Sequence, residues 1–193
     1  MKARDNPFAV ERIGAIRYRP LHTTFDQLLA RLHELNYRAA ITGPEGSGKT
    51  TLVEGLQQVL EQKGFKTRLV FVNDASLFDS PACRQLLSEL TRDQIVLLDG
   101  ADLIRRSDWS LLKRHTITHA YGLIITSHRR GLLPTLIECT TNPALLKDIV
   151  ADLQPQSRTL ATEFLDSLYE RHQGNLRACL RELYDLYARS DPL

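Results

Sequence analysis

The stretch Gly43-Pro44-Glu45-Gly46-Ser47-Gly48-Lys49-Thr50 matches the pattern G-x-x-x-x-G-K-[ST] in full, and it narrows the possible folds more than any other part of the chain. Such a loop is built to hold the phosphates of a nucleoside triphosphate. Successive backbone N–H groups must curl around phosphate oxygens, and side chains larger than glycine's would obstruct the curl or the approach. Lys49 supplies a point charge for the β- and γ-phosphates, and Thr50 a hydroxyl for Mg2+. A helix beginning near Lys49, with Thr51 in its first turn, aims its N-terminal dipole and unpaired N–H groups at the same anion. The flanks comply. Tyr37 to Thr42 reads as a short buried strand, and Leu52, Leu56, Val59 and Leu60 recur at helical spacing after the loop.

The composition suits one globular domain with a small appendage: 193 residues, 42% hydrophobic and 25% charged. A net charge of +2 argues against a strong polyelectrolyte partner. No apolar stretch follows Met1-Lys2-Ala3-Arg4, and no run approaches the roughly 18 residues of a membrane helix. We therefore expect a cytoplasmic protein without membrane insertion. Cys83, Cys139 and Cys179 lie far apart and lack metal-ligand spacing, which predicts reduced, mostly buried thiols. His115 and His119 fall at i, i+4 without a third ligand nearby, so a solvated helix face is the expectation there rather than a metal site.

Three further apolar runs, Leu69 to Val72, Ile95 to Leu98 and Leu123 to Ile125, are continuous rather than alternating, as strands covered on both faces of a parallel sheet should be. Helical patterns at Ser80 to Leu90 and Asp108 to Ala120 separate them, giving β-α-β-α-β-α-β. Thr135 to Cys139 is a candidate fifth strand. A helix begins near Pro143 and closes at Pro155, and two more are expected at about 157 to 172 and 176 to 189. Gly174 suits a helix stop between these two, and Asn175 the N-cap of the second. Leu176, Leu180, Leu183, Tyr184 and Tyr187 form one apolar stripe, expected to face the sheet or the nucleotide cleft as a small lid. The expected organisation is residues 1–35 as an irregular segment packing on the core, 36–153 as the core and 154–193 as a short helical lid.

A phosphate-bound Mg2+ also needs a carboxylate, and a parallel sheet gathers the carboxyl ends of its strands along one edge. Asp99 ends the run Ile95-Val96-Leu97-Leu98 and supplies it, in the Walker B pattern. With the loop, the acid in Leu98-Asp99-Gly100-Ala101-Asp102, the polar end of Ile124-Ile125-Thr126-Ser127-His128-Arg129, and Gly174-Asn175-Leu176-Arg177, the chain resembles the additional-strand branch of P-loop ATPases. Within that branch it is similar to AAA+ and STAND-type NTPases. The resemblance covers about residues 36 to 189. It implies an α/β P-loop NTPase fold of three α/β/α layers, with parallel sheet order 5-1-4-3-2 and a C-terminal helical lid. Asn6-Pro7-Phe8 is also similar to the opening of ATPases of the general secretory pathway and of transposition.

The resemblance further implies roles. Thr126 or Ser127 is expected as sensor 1, holding the attacking water or γ-phosphate, and Arg177 as sensor 2, reaching the γ-phosphate when the lid closes. Arg129 and Arg130 are candidates for the same site or for a finger offered to a neighbouring subunit. One position departs from the pattern: Gly100 stands where most AAA+ ATPases carry a water-orienting glutamate, and Asp102 is the nearest substitute. The leading expectation is an ATP- and Mg2+-dependent ATPase acting as a nucleotide-controlled switch, with a protein partner or a second copy of itself joined when ATP is bound. A small-molecule or nucleotide kinase is the first rival, though the basic residues Arg105, Arg106, Lys113, Arg114, Arg129 and Arg130 are spread over a helix and two loops rather than set in one lid. The second is an ATP-regulated nucleic-acid-binding protein, suggested by the basic excess over residues 103–130 but without interleaved aromatics. Guanine is disfavoured because no Asn/Thr-Lys-x-Asp segment follows the fourth strand.

Overall fold

Five short runs pair as parallel strands in the computed structural model, which describes residues 6–72, 85, 87–154 and 160–189. They are β1 (Arg38–Thr42), β2 (Lys66–Phe71), β3 (Gln94–Asp99), β4 (Gly122–Ser127) and β5 (Thr135–Glu138). Their order is β2-β3-β4-β1-β5, the expected 5-1-4-3-2 read from the other edge, with helices on both faces. Contacts divide the chain into two compact units. One holds residues 19–43 and 49–138, and the other holds 1–18, 44–48 and 139–193.

In the sheet unit, α2 (Phe25–Glu34), α3 (Lys49–Gln62) and α4 (Arg106–His119) accompany the strands. Thr24 and Gln27 cap the start of α2 reciprocally, each side chain meeting the other's backbone N–H. Leu112 of α4 packs with Ala40, Val96, Leu98, Leu123 and Ile125, alternate residues of the central strands. The strands between are fully covered, as the unbroken apolar runs require. β2 departs from this: it is an edge strand, half-buried along its length, and Phe71 is 46% exposed. Tyr37 is not in β1. Its φ is +56°, and its N–H donates to Leu32 O at 2.8 Å to finish α2, so the strand starts one residue later. The expected helix from Ser80 lies largely outside the described residues.

The helical unit has its own core. α5 (Pro143–Leu153), α6 (Thr162–Arg171) and α7 (Leu176–Arg189) bury Leu146, Val150, Leu168, Cys179 and Leu183 together. Phe8 joins them at 1% exposure, edge-on to Tyr187 with ring centres 5.1 Å apart, and the short α1 (Val10–Gly14) follows it. The apolar stripe of α7 is therefore buried among helices and the N-terminal segment, where the sheet or the cleft was expected. α6 begins at Thr162 rather than near 157; Ala161 is extended, and residues 155–159, Pro155 among them, lie outside the described residues. Cys139 and Cys179 are buried, while Cys83 lies outside the described residues. Among the described residues no helix is long and apolar enough to cross a membrane.

Candidate functional site

Parallel pairing sets the carboxyl ends of β3 and β4 side by side, because Leu98 pairs with Ile125 and the next residues, Asp99 and Thr126, stand level. Asp99 takes two hydroxyl donors. Thr50 Oγ1, in the first turn of α3, donates to Asp99 Oδ2 at 2.8 Å, and Thr126 Oγ1 donates to Asp99 Oδ1. The Thr126 hydroxyl in turn accepts the Gly100 N–H at 2.8 Å. Thr126, expected as a sensor, is thus 1% exposed and bonded to the carboxylate and its neighbouring amide. The Ser127 hydroxyl donates to Arg129 O at 2.8 Å and accepts the Arg129 N–H at 3.1 Å, closing the turn after β4. Lys49 starts α3, and its ammonium donates to Gly43 O at 2.9 Å, across the loop.

A hydroxyl and a carboxylate in mutual contact are the oxygen donors that Mg2+ prefers, so Thr50 and Asp99 fit that ion. His115 and His119 do not make a comparable pair. Their rings stack 4.2 Å apart, with His115 Nε2 at Leu87 O and His119 Nδ1 at His115 O, and among the described residues no group of three His, Cys, Asp or Glu converges.

The position after Asp99, Gly100, has no room for a side chain. Its φ is +93°, and a Cβ there would lie 2.8 Å from Val72 O. A side chain at this position meets both a strained backbone and the carbonyl of the residue that follows β2. Gly100→Glu is expected to lower stability by about 1–3 kcal/mol. An unchanged melting temperature would contradict that reading.

Asp102, in a 3-10 turn over Ala101–Leu103, is held by His128: it accepts the His128 N–H at 3.0 Å and meets the ring Nδ1 at 2.7 Å. Burial pushes its carboxyl up, but the His128 N–H, its own N–H and the His128 ring outweigh that, and the net shift is downward. A depressed carboxyl stabilises the fold above its ordinary range and loses that contribution as pH falls through the lowered value. Both oxygens of the expected water-orienting acid therefore serve the turn at His128. We expect Asp102→Asn to reduce turnover less than tenfold, whereas loss of a general base costs roughly 10²–10⁴-fold. A hundredfold fall in phosphate release would return the base role to Asp102.

On the helical unit lie Pro44 to Gly48, Tyr18 and Arg177. Ser47, 3% exposed, donates its hydroxyl to Pro44 O at 2.8 Å and so closes the loop's own turn. Gly46 has φ +70°, and Asn175, the expected N-cap of α7, accepts the Ala178 N–H at 3.0 Å beside it. Arg177 is exposed in the first turn of α7. Tyr18 lies against Gly48, 3.3 Å from where a Cβ would be, and donates to Cys139 Sγ at 3.4 Å; burial, with Cys139 adding to it, pushes its hydroxyl pKa well up. Nothing in the sequence singled out Tyr18, and His128 was visible only as part of the polar end of β4. Elsewhere in the sheet unit, the Arg130 guanidinium pairs with Glu138.

No family model and no curated protein sequence matches the chain. Solved structures do match. The P216G mutant of Thermotoga maritima RuvB is 17% identical with a TM-score of 0.59, over 90% of this chain and 66% of that one. AMPPCP-bound DnaA from Aquifex aeolicus is 15% identical with a TM-score of 0.57, over 84% and 59%. NtrX from Brucella abortus in complex with ATP is 15% identical with a TM-score of 0.56, over 94% and 53%. This chain spans less than two thirds of the length of each. At these identities the likeness is one of fold, a five-stranded parallel sheet with helices on both faces as in the α/β fold of P-loop NTPases.

Proposed function

We propose that the chain binds ATP on Gly43 to Thr50 and hydrolyses it with Mg2+, serving as a nucleotide-controlled switch for a macromolecular partner. The observation that carries this reading is the 2.8 Å contact between the Thr50 hydroxyl and the Asp99 carboxylate, in a chain whose loop pattern is complete. Backbone N–H groups of residues 46 to 50 cradle the phosphates, and Lys49 neutralises the β- and γ-oxygens. Thr50 and Asp99 would hold Mg2+, which would supply further neutralisation of charge on those oxygens. Thr126 keeps Asp99 oriented through its two hydrogen bonds. Arg177 meets the γ-phosphate from the start of α7.

With glycine after Asp99 and Asp102 tied to His128, hydrolysis is slow, which suits a switch that dwells in its ATP state. The partner is a protein or a second copy of this chain, met in the cytoplasm. Incubation with ATP and Mg2+ but no acceptor tests the chemistry. Free phosphate supports the ATPase, while phosphate appearing only on an added nucleoside or metabolite replaces it with a kinase.

A further inference from the structure

Gly46 has no room for a side chain because Asn175 takes it. A Cβ on Gly46 would lie 1.9 Å from Asn175 Oδ1, 2.6 Å from its Cγ and 3.2 Å from the Arg177 N. Three sets of bonds fix Asn175 there. Its Oδ1 accepts the Ala178 N–H at 3.0 Å, which orients the side chain. The turn before it is held by Thr141, whose hydroxyl donates to Gly174 O at 2.8 Å and shares a hydrogen bond with the Tyr169 hydroxyl at 2.8 Å. Below, Glu182 of α7 binds Arg171 at 2.8 Å and His172 at 2.7 Å, tying the end of α6 to the same helix.

Capping α7 does not by itself require asparagine. Aspartate and serine cap a helix about as well, and aspartate adds a favourable interaction with the helix dipole. What separates them is charge. At Gly46 an aspartate would set a carboxylate beside the loop that receives polyphosphate, whereas the amide has the same shape and no charge.

We propose that Asn175 is a positioning residue for the triphosphate: its neutral amide seats the start of α7 on Gly46, so that phosphate occupancy of the loop and the placement of α7, Arg177 included, form one equilibrium. The proposal rests on the reading of the loop as the ATP site.

The test compares Asn175→Asp and Asn175→Ser in the full chain, measuring dissociation constants for ATP and ADP at low and high salt, and melting without nucleotide. Both variants keep the cap, so melting should stay at the wild-type temperature. Asn175→Asp should weaken ATP binding about tenfold at low salt, weaken ADP binding less, and recover as salt screens the repulsion. Asn175→Ser keeps the cap but is too short to fill the space over Gly46, so it should weaken ATP binding less than Asn175→Asp does and to the same extent at low and high salt. A helix cap alone would not produce the salt dependence. Wild-type ATP affinity in Asn175→Asp overturns the proposal, as does an equal loss in both variants that tracks a lowered melting temperature. Lys49→Ala separates the two levels. If it loses ATP affinity while Asn175→Asp does not, only the role of Asn175 falls; if it binds ATP normally, the reading of the loop falls and this proposal with it.

Discussion

Replacing Lys49 with alanine is expected to weaken ATP binding by about 2–4 kcal/mol, the range for removing one partner of a partly desolvated charge pair. That corresponds to roughly 30- to 1000-fold in dissociation constant. The ammonium donates to Gly43 O at 2.9 Å, at the first residue of the phosphate-binding pattern. Its removal leaves the β- and γ-oxygens facing amides without a full positive charge. The fold should be little affected, because the residue sits at the first position of α3 and contributes nothing to the core formed by Leu52, Leu56 and Leu60. Calorimetric titration of ATP into both proteins checks this, and equal affinities would remove Lys49 from the site.

Asp99→Asn is expected to cut Mg2+-dependent hydrolysis by about 10²–10³-fold, the scale on which loss of one transition-state stabiliser is felt. The carboxylate accepts from Thr50 on one oxygen and from Thr126 on the other. An amide can accept on only one side, so one hydroxyl meets an NH2 and the metal ligand loses its charge. ATP binding without Mg2+ should change far less, since no phosphate contact is assigned to Asp99. Phosphate release measured with and without Mg2+ decides it; full turnover in the variant would place the metal on another acid.

Why these residues were legible, and others were not, follows from how far each signal reaches along the chain. The loop and Asp99 are local signals, a fixed spacing in one case and an acid closing an apolar run in the other. Unbroken apolar runs likewise marked β3 and β4, since burial on both faces leaves no polar alternation. The same reasoning overstated the cover on β2, because nothing local says whether a strand is central or at an edge. The stripe on α7 announced an apolar partner without naming it, and that partner includes α5, α6 and Phe8. Asn175 was legible as a cap, while its seat on Gly46 was not, since that contact joins residues far apart in sequence. Gly100 was visible only as a departure. Its cause, the Val72 carbonyl on the neighbouring segment, is a tertiary contact. His128 holds Asp102 across 26 residues, and no spacing rule predicts that partnership.

Co-crystallisation with Mg2+ and a non-hydrolysable ATP analogue brings the loop, the metal and the acid into one experiment. The phosphates should lie within hydrogen-bond distance of the backbone N–H groups of residues 46 to 50, with the cation bound through Thr50 Oγ1 and reached by Asp99. Nucleotide bound anywhere else, or an Asp99 carboxylate turned away from the cation, would contradict the assignment.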